Sequence, residues 1–391
     1  MTGRELCIAD LYDMKNKKGS AEKLNVLFLI FSFHVGGIER QLVEMANAMA
    51  KQGNEVHLCV VNHSYDAQIF DTLNSAVQVV RLDRESKENV MPYMVRLLFY
   101  VRKMHIQVIH AQEPTGVVFS LLCKALCRTK IVETIHNVGE DKEYSDKQLR
   151  LADFICDKYV AISKTVEKEI LTRGIAADRV EEIHNAVNLE RFSCTRGDGD
   201  IPEPRECWNI ANVARFYPPQ KGQDILVRAM VKLRDEHPEI TWHLFLAGAV
   251  YRGQEHAYDE LQAFIRENGL SENITMCGNI DDVPGFLGKM HLFVLPSRYE
   301  GFGISLIESL AMGLPAVASR LDGPKEIMEG HPELGQLFES ENIEDLASQI
   351  AYVIQHAKKY SSKLISEYIA ENYGMEQLVT RHISLYHQLL E

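Results

Sequence analysis

Residues 296–308 read Pro296-Ser297-Arg298-Tyr299-Glu300-Gly301-Phe302-Gly303-Ile304-Ser305-Leu306-Ile307-Glu308. They follow an apolar run, His291-Leu292-Phe293-Val294-Leu295, whose length fits a buried strand. Residues 305–312 fit a helix, with Gly313 as its stop signal. Two carboxylates, Glu300 and Glu308, therefore flank a Gly-Phe-Gly turn at a strand-to-helix junction. In an open α/β sheet, ligands bind at such junctions. Glycine lets backbone approach a ligand closely, and the new helix aims free N–H groups and its positive dipole end at whatever sits there. A carboxylate repels phosphate but accepts hydrogen bonds from sugar hydroxyls. A phosphate-ready turn between two such acids points to a nucleotide-sugar.

Working outward, the chain reads as two α/β series. The first has strands over residues 26–33, 56–61, 77–82, 108–111, 131–135 and 159–162, with Gly36-Gly37 opening a helix over 38–52. The second has strands over 208–214, 242–247, 274–277, 292–295 and 316–318, with helices over 223–236, 257–268 and 305–312. Residues 343–370 read as one helical run and 377–390 as another. Strand–helix alternation of this kind predicts parallel sheets covered on both faces. The predicted division is a loose extension over 1–24, a first domain over 25–193, a linker rich in Gly, Pro and charge over 194–206, and a second domain over 207–374.

Composition sets outer limits. The chain has 391 residues, enough for two domains, and no stretch apolar enough to span a bilayer. Eight cysteines without a CxxC pair fit a reduced, cytoplasmic protein. Cys123 and Cys127, four apart on a predicted helix, fit core-facing small residues better than a metal site. The net charge of −13 argues against nucleic-acid binding. That charge is uneven: residues 201–391 carry 16 Lys+Arg against 27 Asp+Glu, whereas in residues 91–130 six basic residues face only Glu113. The apolar-and-basic stretch over 91–103 fits either a helix lying on the inner face of an anionic membrane or a core-facing helix with solvated cations.

With Pro296 and Ser297 before it and Gly313-Leu314-Pro315-Ala316-Val317-Ala318 after it, the opening segment resembles the retaining GT-B glycosyltransferases of the family 4 type. Their signature is two glutamates separated by seven residues. The resemblance extends to Gly36-Gly37-Ile38-Glu39-Arg40, Ile135-His136-Asn137, Ile183-His184-Asn185-Ala186-Val187-Asn188, Phe192, Val213-Ala214-Arg215 and Lys221-Gly222. It implies two Rossmann-like doubly wound domains facing across a cleft, with a C-terminal helix over 375–391 crossing back onto the first. It implies transfer of a sugar from a nucleoside diphosphate, with UDP expected, to a hydroxyl of a glycan or lipid-linked glycan. Bacterial polysaccharide, lipopolysaccharide and capsule enzymes of this type set that expectation. Glu300 would then lie against the donor-sugar hydroxyls and Glu308 would hold the ribose.

Several residues carry both a chemical and a bland reading. Arg215 and Lys221, just after a strand in the acid-rich half, can hold a diphosphate and offset the charge that develops as it leaves, or be an exposed pair in a Pro-rich turn. Gly36 and Gly37 offer backbone N–H groups to phosphate, as do Gly301, Phe302 and Gly303. Gly36-Gly37 also suits a plain tight turn, and it is not a GxGxxG fingerprint. His136 ends a strand; it either positions a hydroxyl at the reaction centre or is a hydrogen-bonded core histidine. Asn185 suits ligand contact or an Asx turn, Glu113 suits the acceptor side, and His110 suits a structural role. Glu326 is expected to cap a helix rather than bind donor. No Asp-x-Asp pair stands at a strand end; Asp198-Gly199-Asp200 lies in the predicted linker. No metal and no cofactor are expected. The competing readings are a GT-B nucleotide-sugar epimerase and a catalytically silent GT-B protein that binds glycan.

Overall fold

The computed structural model describes residues 23–34, 36–85, 87–136, 139, 144–193 and 207–391. Residues 1–22 of the expected extension, Asn137, and the expected linker with its Asp198-Gly199-Asp200 lie outside them.

β1 (Asn25–Ile30) has all six residues buried, as a strand covered on both faces requires. It is followed by β2 (Glu55–Asn62), β3 (Gln78–Arg84), β4 (Val108–Ala111), β5 (Lys130–Ile135), β6 (Lys158–Ala161) and β7 (Val180–Glu182). These seven pair in parallel in the order β3-β2-β1-β4-β5-β6-β7. The second sheet runs β10-β9-β8-β11-β12-β13, also parallel. Its strands are β8 (Trp208–Val213), β9 (Trp242–Ala247), β10 (Ile274–Gly278), β11 (Leu292–Leu295), β12 (Ala316–Ser319) and β13 (Gly335–Phe338). The fold is the expected pair of doubly wound α/β units. In each, the strand order reverses beside the first strand, between β1 and β4 and between β8 and β11. Those reversals open the crevices where ligands bind.

The structure corrects the reading at three places. β7 and β13 are strands that composition did not flag. The helical run over 343–370 is two helices, Ile343–Gln355 and Ser362–Tyr373. Between them the Tyr360 side chain is buried and its backbone extended, and Ser361 starts the second helix by accepting from the Leu364 N–H at 3.4 Å.

The last helix, Met375–Leu390, belongs physically to the first sheet. Val187 N–H donates to Tyr373 at 2.8 Å and Met375 N–H donates to Val187 at 3.1 Å, which carries the chain across. Leu378, Val379, Leu385 and Tyr386 then join Val26, Phe28, Val56 and Leu58 in one apolar cluster. The Tyr386 hydroxyl meets His110 Nδ1 at 2.5 Å, and His110 Nε2 meets Thr134 Oγ1 at 2.7 Å. His110 is thus a satisfied core histidine.

Candidate active site

A cleft of about 440 Å³ lies between the carboxyl ends of the two sheets. Gly36, Gly37, His136 and Asn185 line it from the first half; Arg215, Lys221, Glu300, Gly301, Phe302, Gly303 and Glu308 line it from the second. Eleven widely separated candidates therefore share one cavity. Glu113 does not line it. Its Oε1 accepts from the Phe31 N–H at 3.0 Å, and burial pushes its carboxyl above the usual range.

The second half supplies charge on rigid supports. β11 is fully buried, so the turn that follows it is anchored at its root. Gly303, at φ +107, starts the helix Ile304–Ala311 and has no side chain to cap it. Lys221 Nζ stands 2.9 Å from Glu300 Oε2, with only 15 and 14% of the two side chains exposed. Ser297 Oγ donates to the same oxygen at 3.2 Å. Lys221 ends a short helix, Pro218–Lys221, and Gly222 follows at φ +68. There is no room beside Gly222: a Cβ would stand 1.9 Å from the Pro296 carbonyl oxygen. The Lys221 turn and the root of the Glu300 loop are thus in backbone contact. Arg215 follows β8; its guanidinium lies 5.0 Å from the Tyr251 ring centre, and Tyr251 packs on Tyr217 at 5.2 Å. The cation is aimed by aromatic faces.

The first half supplies the opposite wall. His136 follows β5 and is buried, with Nε2 at 2.9 Å from Gln112 Oε1. Burial pushes its pKa down to about 4, so its ring is neutral near pH 7. So weakly basic an imidazole suits hydrogen bonding to a hydroxyl better than proton removal. The first helix, Gly37–Lys51, adds Arg40, Gln41 and Glu44 to the lining, which sequence reasoning missed. All three fall on the helix face that starts at Gly37, a recurrence of three and four residues that was visible in the sequence. Glu44 Oε1 pairs with Arg191 Nη1 at 3.5 Å. Glu39 was missed too. A Cβ on Gly36 would stand 2.4 Å from Glu39 Oε2, so this carboxylate covers the helix start expected to offer its amides to phosphate. Burial pushes the Glu39 carboxyl up, against its own amide and the Arg215 charge.

Burial, then the neighbouring Glu44 carboxylate, raises Glu308 from 4.5 to about 7, against the pull of Arg191 and Arg40. The sign of the consequence is fixed by linkage. Between those two pH values the folded protein holds a proton that the unfolded chain has released, so this group lowers stability as pH rises from about 4.5 to about 7. Glu308→Gln removes that slope. Urea midpoints from pH 5 to 8 are expected to show the variant gaining on wild type up to pH 7 and holding level above it. Parallel curves would contradict the raised pKa.

Among the described residues, one group of His, Cys, Asp and Glu is close enough to hold a metal: Glu182, His184 and Glu326. Glu326 caps a helix, but one in the facing half: it accepts from the Lys164 and Thr165 N–H groups at 3.0 and 3.3 Å.

Similarity to known proteins agrees with the two-sheet fold. The family described as Glycosyltransferase Family 4 matches residues 35–191, and the one described as Glycosyl transferases group 1 matches residues 208–356. An uncharacterized glycosyltransferase of Haemophilus influenzae is 24% identical over 355 residues, covering 88% of this chain and 94% of that protein. The lipopolysaccharide core biosynthesis mannosyltransferase LpcC of Rhizobium leguminosarum is 30% identical over 173 residues, covering 44% of this chain and 48% of that protein. The structure of Anabaena HepE in complex with UDP superposes with a TM-score of 0.78 at 20% identity, covering 93% of this chain and all of that one.

Proposed function

We propose that this chain, which belongs to the family 4 glycosyltransferases, is a retaining, metal-independent enzyme using a nucleoside-diphosphate sugar, with UDP as the nucleotide. Its acceptor is a hydroxyl of a glycan or lipid-linked glycan of a cell-surface polysaccharide. The observation that carries the reading is the Lys221–Glu300 contact of 2.9 Å at the mouth of the second sheet, with Arg215 nearby. Cations beside a carboxylate in one cleft support a diphosphate held next to sugar hydroxyls. Glu308 accepts from the ribose, and Glu300 accepts from the sugar. Arg215, Lys221 and the backbone amides of Gly301 to Gly303 offset the charge on the leaving diphosphate, the task a divalent cation performs in other transferases.

The acceptor oxygen bonds to the anomeric carbon on the face the leaving group departs from. The bond from that carbon to the phosphate oxygen breaks, and the hydroxyl proton passes to the departing phosphate. Neutral His136 orients a hydroxyl during this step. Closing the cleft keeps water from taking the place of the acceptor.

A membrane-borne acceptor is supported by the helix Met91–Met104, on which Met91, Val95 and Phe99 form an exposed apolar stripe spaced by four residues, with Arg96, Arg102 and Lys103 beside it. Among the described residues no helix is long and apolar enough to cross a membrane, so the contact proposed is peripheral.

The test is thermal shift and diphosphate release across UDP-, GDP- and ADP-sugars with EDTA present. One UDP-sugar is expected to stabilise the chain and release UDP slowly. Activity lost to EDTA and restored by a divalent cation would refute metal independence; binding without release would favour the silent protein. In a second arm, wild type is expected to sediment with phosphatidylglycerol vesicles and Phe99→Glu to stay in solution. Equal behaviour of the two would remove the membrane contact.

A further inference from the structure

The seam between the two halves holds a contact that the catalytic scheme does not use. Glu326 lies on the helix Asp322–Met328 of the second half. Its two oxygens take the first two amides of the helix Lys164–Thr172 in the first half, Lys164 at 3.0 Å and Thr165 at 3.3 Å. Ser163 Oγ takes the third, Val166, at 3.3 Å. The start of a helix in one half is thus capped largely by a carboxylate from the other, and such charge-assisted bonds are about twice as strong as neutral ones. Beside it, His184 Nε2 stands 2.6 Å from Glu182 and 3.6 Å from Glu326. The His184 ring packs on Phe302 at 5.4 Å and on Tyr373 at 5.7 Å.

The spacing of Glu182, His184 and Glu326 suits a cation, but their surroundings do not. The Glu326 oxygens already accept from amides at the positive end of a helix dipole, which disfavours a second positive charge there. A contact between halves fits that chemistry better.

The same short helix also touches the donor loop. Gly323 lies so close to Phe302 that a Cβ would stand 2.4 Å from the Phe302 Cα and 2.5 Å from its carbonyl oxygen. Gly323 and Glu326 are three residues apart, one turn of that helix. Its one end is pressed on the middle of the Glu300–Gly303 turn, and its other end is bonded to the facing half.

We propose that Glu326 is a positioning residue whose cap on the facing helix couples closure of the two halves to the shape of the donor loop. With the halves apart, Lys164 and Thr165 lose their acceptor, and the helix carrying Gly323 loses its tether. With the halves together, that helix is fixed and holds Phe302 in place. The inference rests on the transfer reading for its rate effect and on geometry alone for its effect on closure.

Two variants test it in the full chain. Glu326→Ala removes both acceptors; Glu326→Gln keeps one oxygen and is expected to fall between Ala and wild type. Glu326→Ala should lower acceptor-dependent transfer about 100-fold, the scale of a misplaced catalytic group. UDP affinity should fall by less than transfer does, since no direct donor contact is removed while the Gly301–Gly303 turn loses part of its support. The ratio of donor hydrolysis to transfer should rise, because a looser seam admits water. A purely structural role would lower the melting temperature and leave that ratio unchanged, and this result would overturn the proposal. Small-angle scattering of the same variants, free and with UDP, separates the two readings. A larger radius of gyration in Glu326→Ala is expected whether or not any donor turns over. An unchanged radius would refute the latch even in an active transferase, whereas an enlarged one, with no turnover of any donor by the wild-type chain, would refute the transfer reading and leave the latch standing.

Discussion

Lys221→Ala is expected to lower sugar transfer by about 10²–10³-fold, the scale seen when one preorganised charge-stabilising group is removed from an active site. The side chain is 2.9 Å from Glu300 and mostly buried with it. Two losses coincide in this variant. On the proposed reading the leaving diphosphate loses one of its two cations, and Glu300 is left in a largely enclosed place with Ser297 Oγ at 3.2 Å as its remaining partner among the bonds described above. An uncompensated carboxylate in such a place also destabilises the fold. The double variant Lys221→Ala/Glu300→Gln separates the effects: it is expected to recover melting temperature without recovering turnover. Measured kcat within about 3-fold of wild type in Lys221→Ala would remove this residue from the machinery. Arg215→Ala should cost less, because that side chain is exposed and held over Tyr251 rather than enclosed.

The second large effect falls on Gly222→Ala, expected to cost about 3–5 kcal/mol of stability and nearly all activity. At φ +68 any side chain is strained, which alone accounts for about 1–2 kcal/mol. The remainder comes from the 1.9 Å overlap with the Pro296 carbonyl oxygen. That oxygen is backbone, so no rotamer change relieves it, and the turn itself must move. Lys221 precedes Gly222 in the chain and Pro296 starts the Glu300 loop, so both sides of the charge pair move apart together. Gly269 is the matched control. It has the same φ of +68 and nothing within 4 Å of its would-be Cβ. Gly269→Ala is therefore expected to cost only the dihedral strain, with full activity. Denaturation curves of the two variants give the contrast directly; equal costs would refute the steric argument.

Much of this was legible because the relevant signals are local. Leu292–Leu295 is a four-residue apolar strand, Gly303 sits where a helix must start without a cap, and Glu300 and Glu308 flank that start. What escaped the reading depends on partners far away in sequence. Val180–Glu182 is a strand through its backbone alone, and two of its three side chains are carboxylates. Arg40 and Glu44 look like the solvated face of any surface helix until the second half closes over them. Glu326 was expected to cap a helix, and it does, but its helix begins 162 residues earlier in the other half. Glu113 has the residue type and strand-end position of a binding acid, yet its oxygen is taken by the Phe31 amide. No spacing rule distinguishes that outcome from exposure to a ligand.

The return of the helix Met375–Leu390 to the first sheet sets a schedule for biosynthesis. β7 ends at Glu182 and that helix starts at Met375. At roughly 5–20 residues per second, a nascent chain waits on the order of 10–40 s between completing the first sheet and receiving the layer that covers it. During that interval the face bearing Val26, Phe28, Val56 and Leu58 has lost Leu378, Val379, Leu385 and Tyr386 as cover. The earlier half therefore cannot finish folding on the ribosome before the later half is made. A chain truncated before Met375 is therefore expected to be protease-sensitive rather than a separately working domain, which limited proteolysis of the truncated and full chains checks.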